Sequence, residues 1–353
     1  MRSQAHIERI AWKKDIENAD NIELAGVLGW QCVTGKSNNF NVGDLVIYIE
    51  IDSILPSSKN DDGTYVWPEF DFMESRKFRV KTIKLKGQLS QGLIMPVSIL
   101  LDRGLVNQEE LTEGLDVSEL LNISKYELEI PLNLRGLLKG SFPIHLFPKT
   151  DEIRIQNIPN ILDHYRNSGI TFFATEKLDG TSCTFYVNND EKGVCGRNVE
   201  FKLEGNENNL YVKMFNKYFV NNIALDLLNK NIALQGEICG PGIQKNPIGL
   251  KSIDFYCYNV YFIDEKRYAN FTEWLDICLK LGIPTVPIYS YNSCLDGYSV
   301  ETLLESVNNL HYSIGAKNLA EGLVFRSYNE LYCPILEGRL SFKVINNNYL
   351  LKS

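Results

Sequence analysis

The segment Thr175-Glu176-Lys177-Leu178-Asp179-Gly180-Thr181-Ser182 sets a lysine two residues before an aspartate, between two strand-like runs. On its own it reads as a charged hairpin turn, because Asp-Gly is a common turn pair. Its company suggests chemistry. Downstream come Cys195-Gly196-Arg197-Asn198, Leu234-Gln235-Gly236-Glu237-Ile238 and Phe255-Tyr256-Cys257-Tyr258-Asn259-Val260. Glu321-Gly322-Leu323-Val324-Phe325-Arg326 and Ser341-Phe342-Lys343-Val344 complete the set. A lysine is a nucleophile only as the neutral amine, and a free lysine has a pKa near ~10.4. Carboxylates at Asp179, Glu237 and Glu321 would by themselves raise it further. They make sense as holders of a divalent cation, Mg²⁺ or Mn²⁺, bound directly or through its waters. Such a cation favours the neutral amine and can polarise a phosphate.

The elements that must carry these residues read as α+β. Strands are expected at Thr171–Thr175, Cys183–Val187, Ile232–Glu237, Asp254–Phe262, Gly322–Arg326 and Ser341–Ile345, with helical segments near 207–229, 271–281 and 300–310. The first hundred residues are different: short strands broken by turns. Leu45–Ile51 follows the turn Asn41-Val42-Gly43-Asp44, and Phe78–Lys81 and Ile83–Lys86 each alternate apolar with basic. Their phase slips by one at Thr82, which suggests a bulge or bend in a coiled barrel such as an OB-fold. Residues 108–140 lean towards helix and are acidic. The expected division is an OB-like domain over 1–115, a connector over 116–140 and a second domain over 141–353.

The ordered blocks from Lys177 to Lys343 resemble the covalent nucleotidyltransferase superfamily of polynucleotide ligases and mRNA capping enzymes. The resemblance spans nearly the whole second half, and its order and spacing make it specific. It implies that Lys177 takes AMP from ATP as a lysyl phosphoramidate. Asp179, Glu237 and Glu321 would hold metal, and Lys343 would neutralise charge on the phosphate as pyrophosphate leaves. Arg197 would contact the ribose or its phosphate, Glu176 would lie in the nucleotide pocket, and Tyr258 would stack on adenine opposite Leu323 or Val324.

DNA ligases and capping enzymes usually carry an OB domain after the last motif, whereas here the barrel-like region comes first and ten residues follow Lys343. This resembles a branch of ATP-dependent RNA ligases with an N-terminal OB domain. Phe147–Asn157 and Phe342–Lys352 are similar to that branch too, which implies that Arg154, with Lys149, binds the triphosphate tail. Many relatives have a Lys-x-Lys pair in the last motif; here Ser341 and Ile345 flank Lys343, and Lys352 is a remote candidate for the second lysine's role. The implied substrate is RNA, as a nicked duplex or paired ends, handled by a monomer. A DNA ligase, a capping-type guanylyltransferase and a non-catalytic nucleic-acid-binding module are the rival readings.

Composition fits with one refinement. The 353 residues carry 36 Lys+Arg against 44 Asp+Glu, a formal net charge of -8. That excludes a coat of basic charge and leaves a local basic groove open. Between Ser75 and Gln88, Arg76, Lys77, Arg79, Lys81, Lys84 and Lys86 occur without one acidic residue, a stripe suited to phosphate contacts or to guarding a strand edge. Gly35-Lys36-Ser37 lacks the first glycine of a P-loop, since Trp30 stands in its place, and reads as a surface turn. The eight cysteines and four histidines are scattered without metal-ligand spacing, as expected of buried, reduced thiols in a cytoplasmic or nuclear protein. No secretory or membrane-spanning segment is apparent.

Overall fold

The structure is a computed structural model, and it describes residues 3–127, 136–219 and 230–352. Contacts divide the chain into two compact units, the first ending near residue 129 and also taking in the short segment Gln156–Pro159.

The first unit is built on an antiparallel sheet whose shared strand is Ala5–Asp15. Its first half pairs with Leu45–Ile49 and its second half with Ile22–Val27. Trp30–Gly35 and Leu93–Pro96 extend the two ends. A register shift between Ile10 and Trp12 lets one strand serve both neighbours, which is how a small sheet curls into a barrel. Ile7, Ile10, Trp30, Val46, Ile47 and Tyr48 fill the interior. This is the expected OB-like barrel.

Three expectations for this half are corrected. Phe78–Lys81 is not a strand: Lys77 and Phe78 have positive φ, and only a single bridge joins Arg79 to Ile54. Burial of Phe78 and Val80 in the core, together with that turn, overrides the alternating pattern. The strand after the break covers Ile83–Leu85, pairs with Gln88–Ser90, and turns at Lys86-Gly87. The helix-leaning stretch 108–140 holds no α-helix among the described residues. Instead Val117, Leu121 and Ile123 are buried in the first unit's core; residues 128–135 lie outside the described residues.

The second unit contains two larger sheets. One orders Leu138–Ser141, Val199–Phe201, Glu191–Cys195, Thr181–Asn188, Ile232–Cys239, Asp254–Phe262 and Arg267–Tyr268. The other orders Ile153–Arg154, Ser341–Ile345, Gly322–Ser327, Phe172–Glu176 and Ile288–Ser293. All six strands expected in this half are present. The helices Leu210–Tyr218, Phe271–Leu281 and Val300–Val307 match three helical expectations, with 220–229 outside the described residues. Phe271–Leu281 shows why such a helix can be read from sequence. A capping box between Asn270 and Glu273 opens it, Gly282 closes it in the left-handed conformation, and Trp274, Ile277, Cys278 and Leu281 form its buried face. Phe185, Phe215, Phe219 and Phe255 form an aromatic cluster beneath the first sheet.

Candidate active site

The strand Phe172–Glu176 is buried along its whole length and lies between Gly322–Ser327 and Ile288–Ser293. It stops at Lys177, whose backbone N–H donates to the Gly322 carbonyl at 2.9 Å. Two glycines make this turn possible. A Cβ at Gly180 would lie 2.3 Å from the Ile238 carbonyl oxygen. At Gly322, φ is +152° and a Cβ would lie 2.1 Å from the Val344 carbonyl oxygen. The lysine turn is thereby pressed against both sheets.

Lys177 Nζ is 2.7 Å from Glu321 Oε2. Burial lowers the lysine's pKa, but Glu321, Glu237 and Asp179 outweigh it and the net shift is upward. Glu237 is pushed up to about 8 by burial and by Glu321 and Asp179, against the pull of Lys177 and Arg197. Asp179 is also raised, by burial and then by Glu321. The cluster therefore has more negative charge than Lys177 neutralises, and it binds protons. Among the described residues, no three His, Cys, Asp or Glu side chains are arranged to hold a metal ion. The expected metal set is thus gathered around the lysine's ammonium and is not closed on a common point. Its chemistry, oxygen donors with surplus negative charge, still suits a hard divalent cation.

Sequence reading missed two tyrosines here. The Tyr349 hydroxyl donates to Asp179 Oδ2. The Tyr312 hydroxyl accepts the Glu321 backbone N–H at 3.2 Å. Tyr349 lies in the C-terminal segment already singled out, on a short helix capped by Asn346. Nothing in the sequence marked Tyr312.

The basic candidates meet at one end of the site. Ile153–Arg154 runs parallel to Ser341–Ile345, and Arg154 is in register with Lys343. Asp151 links Lys343 at 3.3 Å to Arg197 at 3.5 Å. Lys149 Nζ donates to Asn198 Oδ1 at 2.8 Å. Arg326 is buried opposite Ser341, bonds Thr175 Oγ1 at 3.1 Å, and lies over the Tyr258 ring at 5.8 Å. Lys352 is exposed beyond the Tyr349 turn.

A bulge aims Tyr258. Gln235 faces Asn259 and Gly236 faces Cys257, which leaves Tyr258 as the extra residue. Its hydroxyl is 2.9 Å from Thr150 Oγ1. Of the two aliphatic candidates opposite it, Val324 is the one paired with Lys343, on the face that also carries Arg326. Leu323 pairs with Glu176 on the other face, fully buried. Glu176 also points that way, its carboxylate accepting the Ser313 N–H at 3.0 and 3.2 Å. Burial raises its pKa, and the Ser313 bonds oppose that.

In the first unit, the basic run does not form a single stripe. Arg79 is held by Asp52 at 2.7 Å and lies 3.6 Å over the Tyr126 ring. Arg76 ends a 3₁₀ segment, and Lys77 follows in the left-handed conformation. Lys81, Lys84 and Lys86 are exposed.

Comparison with known proteins places these features among relatives. A family model of an OB-fold domain matches residues 4–97, and one of RNA ligases matches residues 170–345. Among curated proteins none matches. Solved structures do. An apo mutant of Naegleria gruberi RNA ligase R4a is 33% identical with a TM-score of 0.84, over 100% of this chain and 99% of that one. A mutant Naegleria gruberi RNA ligase with ATP and Mn is 33% identical with a TM-score of 0.83, over 99% of each chain. A Naegleria gruberi RNA ligase with PPi is 34% identical with a TM-score of 0.81, over 99% of this chain and 98% of that one.

Proposed function

This chain belongs to the RNA ligase family, and we propose that it seals 3′-OH/5′-phosphate nicks in duplex RNA through an adenylate on Lys177. It is an ATP-dependent RNA ligase that uses a divalent metal. The observation that carries the residue assignment is Lys177 itself. It ends a buried strand, 2.7 Å from Glu321 and within the field of Glu237 and Asp179, with the basic group of Lys149, Arg154, Arg197 and Lys343 in the same unit.

Lys177 Nζ bonds to the α-phosphorus of ATP, the bond to pyrophosphate breaks, and the amine proton passes to water. Asp179, Glu237 and Glu321 would hold the cation. When bound, it offsets their charge and polarises the phosphate. Lys343 takes up charge on the phosphate, while Arg154 and Lys149 hold the departing tail. Asp151, between Lys343 and Arg197, fixes the spacing of two of these cations. Tyr258 would offer its ring to the base, with Arg326 over the ring's other side and Val324 the aliphatic residue on the face of Lys343. AMP then passes to the RNA 5′-phosphate, and the 3′-OH displaces it to form the phosphodiester.

We assign the exposed Lys81, Lys84 and Lys86, with Arg76, to contacts with the RNA backbone. Arg79 supports them from its Asp52 partner. The protein acts as a monomer. Its free thiols, of which only Cys294 is exposed, support a cytoplasmic or nuclear setting.

The test is a sealing panel on nicked duplexes in which each strand is RNA or DNA. Sealing should require RNA on the 3′-OH side, because the 2′-OH is the chemical difference between the two. Equal sealing of all-DNA nicks would favour a DNA ligase. Labelling by GTP in place of ATP would favour a capping-type enzyme.

A further inference from the structure

Two loops of the nucleotidyltransferase unit lie next to the lysine cluster and were not part of any motif. Residues 240–253 leave the strand that carries Glu237, and residues 309–320 lead into Glu321. They are tied together. The Ala316 N–H donates to the Ile248 carbonyl at 3.0 Å, and Asn318 Nδ2 donates to the Pro247 carbonyl at 2.9 Å. A Cβ on Gly249 would come within 2.5 Å of Ala316 Cβ, so the two backbones are close.

The joined loops have an unusual charge. They contain Lys245, Lys251 and Lys317 and no aspartate or glutamate. At the chain's overall rate of 44 acidic residues in 353, about three would be expected over this length. All three lysines are exposed, and among the described residues none forms an ion pair. Most other basic residues of this unit have partners: Lys139, Arg197, Lys217, Arg267, Arg326 and Arg339 all face carboxylates. Gln244, Lys245 and Asn246 follow one another with φ of +45°, +61° and +53°, a tight left-handed turn that projects Gln244 and Lys245 outward. Unpaired cations on acid-free loops, in a chain of net charge -8, are complementary to a polyanion.

We propose that these two loops form a phosphate-contacting lip, over which the RNA backbone passes as it enters the Lys177 site. The inference rests on the RNA-ligase reading and adds a surface to it. Lys245, Lys251 and Lys317 contact phosphates beyond the reacting one, so they act on RNA engagement and leave the reaction with ATP alone untouched.

The test variant combines Lys245→Asn, Lys251→Gln and Lys317→Asn. Asparagine is used where φ is positive because it tolerates that region. Autoadenylylation with ATP should proceed at the wild-type rate, which also reports an intact fold. Binding of the adenylylated enzyme to a nicked RNA duplex should weaken roughly ten-fold or more. The slope of log affinity against log salt should fall by about 3, one unit per lost phosphate contact. A Lys251→Glu variant, at a position of ordinary backbone, should weaken binding in the same direction. Unchanged duplex affinity and salt slope in both variants would overturn the lip. Failure of the wild-type protein to take AMP from ATP would overturn the ligase reading instead, and binding of the unadenylylated protein and its variants to the same duplex would then decide the lip.

Discussion

Glu237→Gln gives a sharp test of the charge balance around Lys177. In the metal-free protein the Glu237 carboxyl is pushed up from 4.5 to about 8, by burial and by Glu321 and Asp179 against Lys177 and Arg197. Its folded pKa lies above its unfolded value, so the group stabilises the fold fully below the unfolded value. That contribution is lost as pH rises towards 8. At ~1.36 kcal/mol per unit, the whole window amounts to at most about 5 kcal/mol. Glutamine has the shape of the protonated side chain and cannot ionise. With EDTA present, wild type and variant should be of similar stability near pH 5. The variant should then gain on wild type by up to about 1.4 kcal/mol per pH unit as the pH approaches 8. Urea unfolding at half-unit pH steps measures that difference. Saturating Mn²⁺ should flatten the wild-type trend, since metal binding releases the proton. A gap between the two proteins that stays constant with pH would refute the account of a proton-holding cluster.

Tyr349→Phe removes a hydrogen bond that pulls the Asp179 pKa down, so Asp179 holds its proton to higher pH. Adenylylation should slow, and the acid limb of its pH–rate profile should move to higher pH than in the wild type. Gly180→Ala drives a methyl group into the Ile238 carbonyl, and should lower the melting temperature and abolish labelling together, at a cost of about 1–3 kcal/mol. Arg79→Ala should destabilise the first unit by about 1 kcal/mol in thermal unfolding, because it breaks the Asp52 pair and the Tyr126 stack. Lys84→Ala with Lys86→Ala should leave stability unchanged while weakening RNA binding and lowering its salt slope.

The second half was legible because its strands bury both faces and read as apolar runs. Phe172–Glu176 and the second half of Asp254–Phe262 are such cases, and the helix Phe271–Leu281 carries both caps. The site was legible where one residue type had to meet another across the fold, as with Lys177 and Glu321. What the sequence did not reveal depends on register and on tertiary contact. Which of Leu323 and Val324 shares a face with Lys343 follows from strand pairing, and a bulge at Tyr258 decides where its ring points. Arg79 read as part of an open stripe, but its partner Asp52 is 27 positions away. The burial of Val117 and Leu121 in the first unit's core has no sequence mark, because a short apolar spacing does not show which core receives it.

The central claim is that Lys177 carries the AMP. Purified protein incubated with α-labelled ATP and Mn²⁺, then denatured and resolved by mass, should gain one covalent AMP located on Lys177, and Lys177→Ala should gain none. Persistent labelling of Lys177→Ala, or an AMP found on any other residue, would contradict the account.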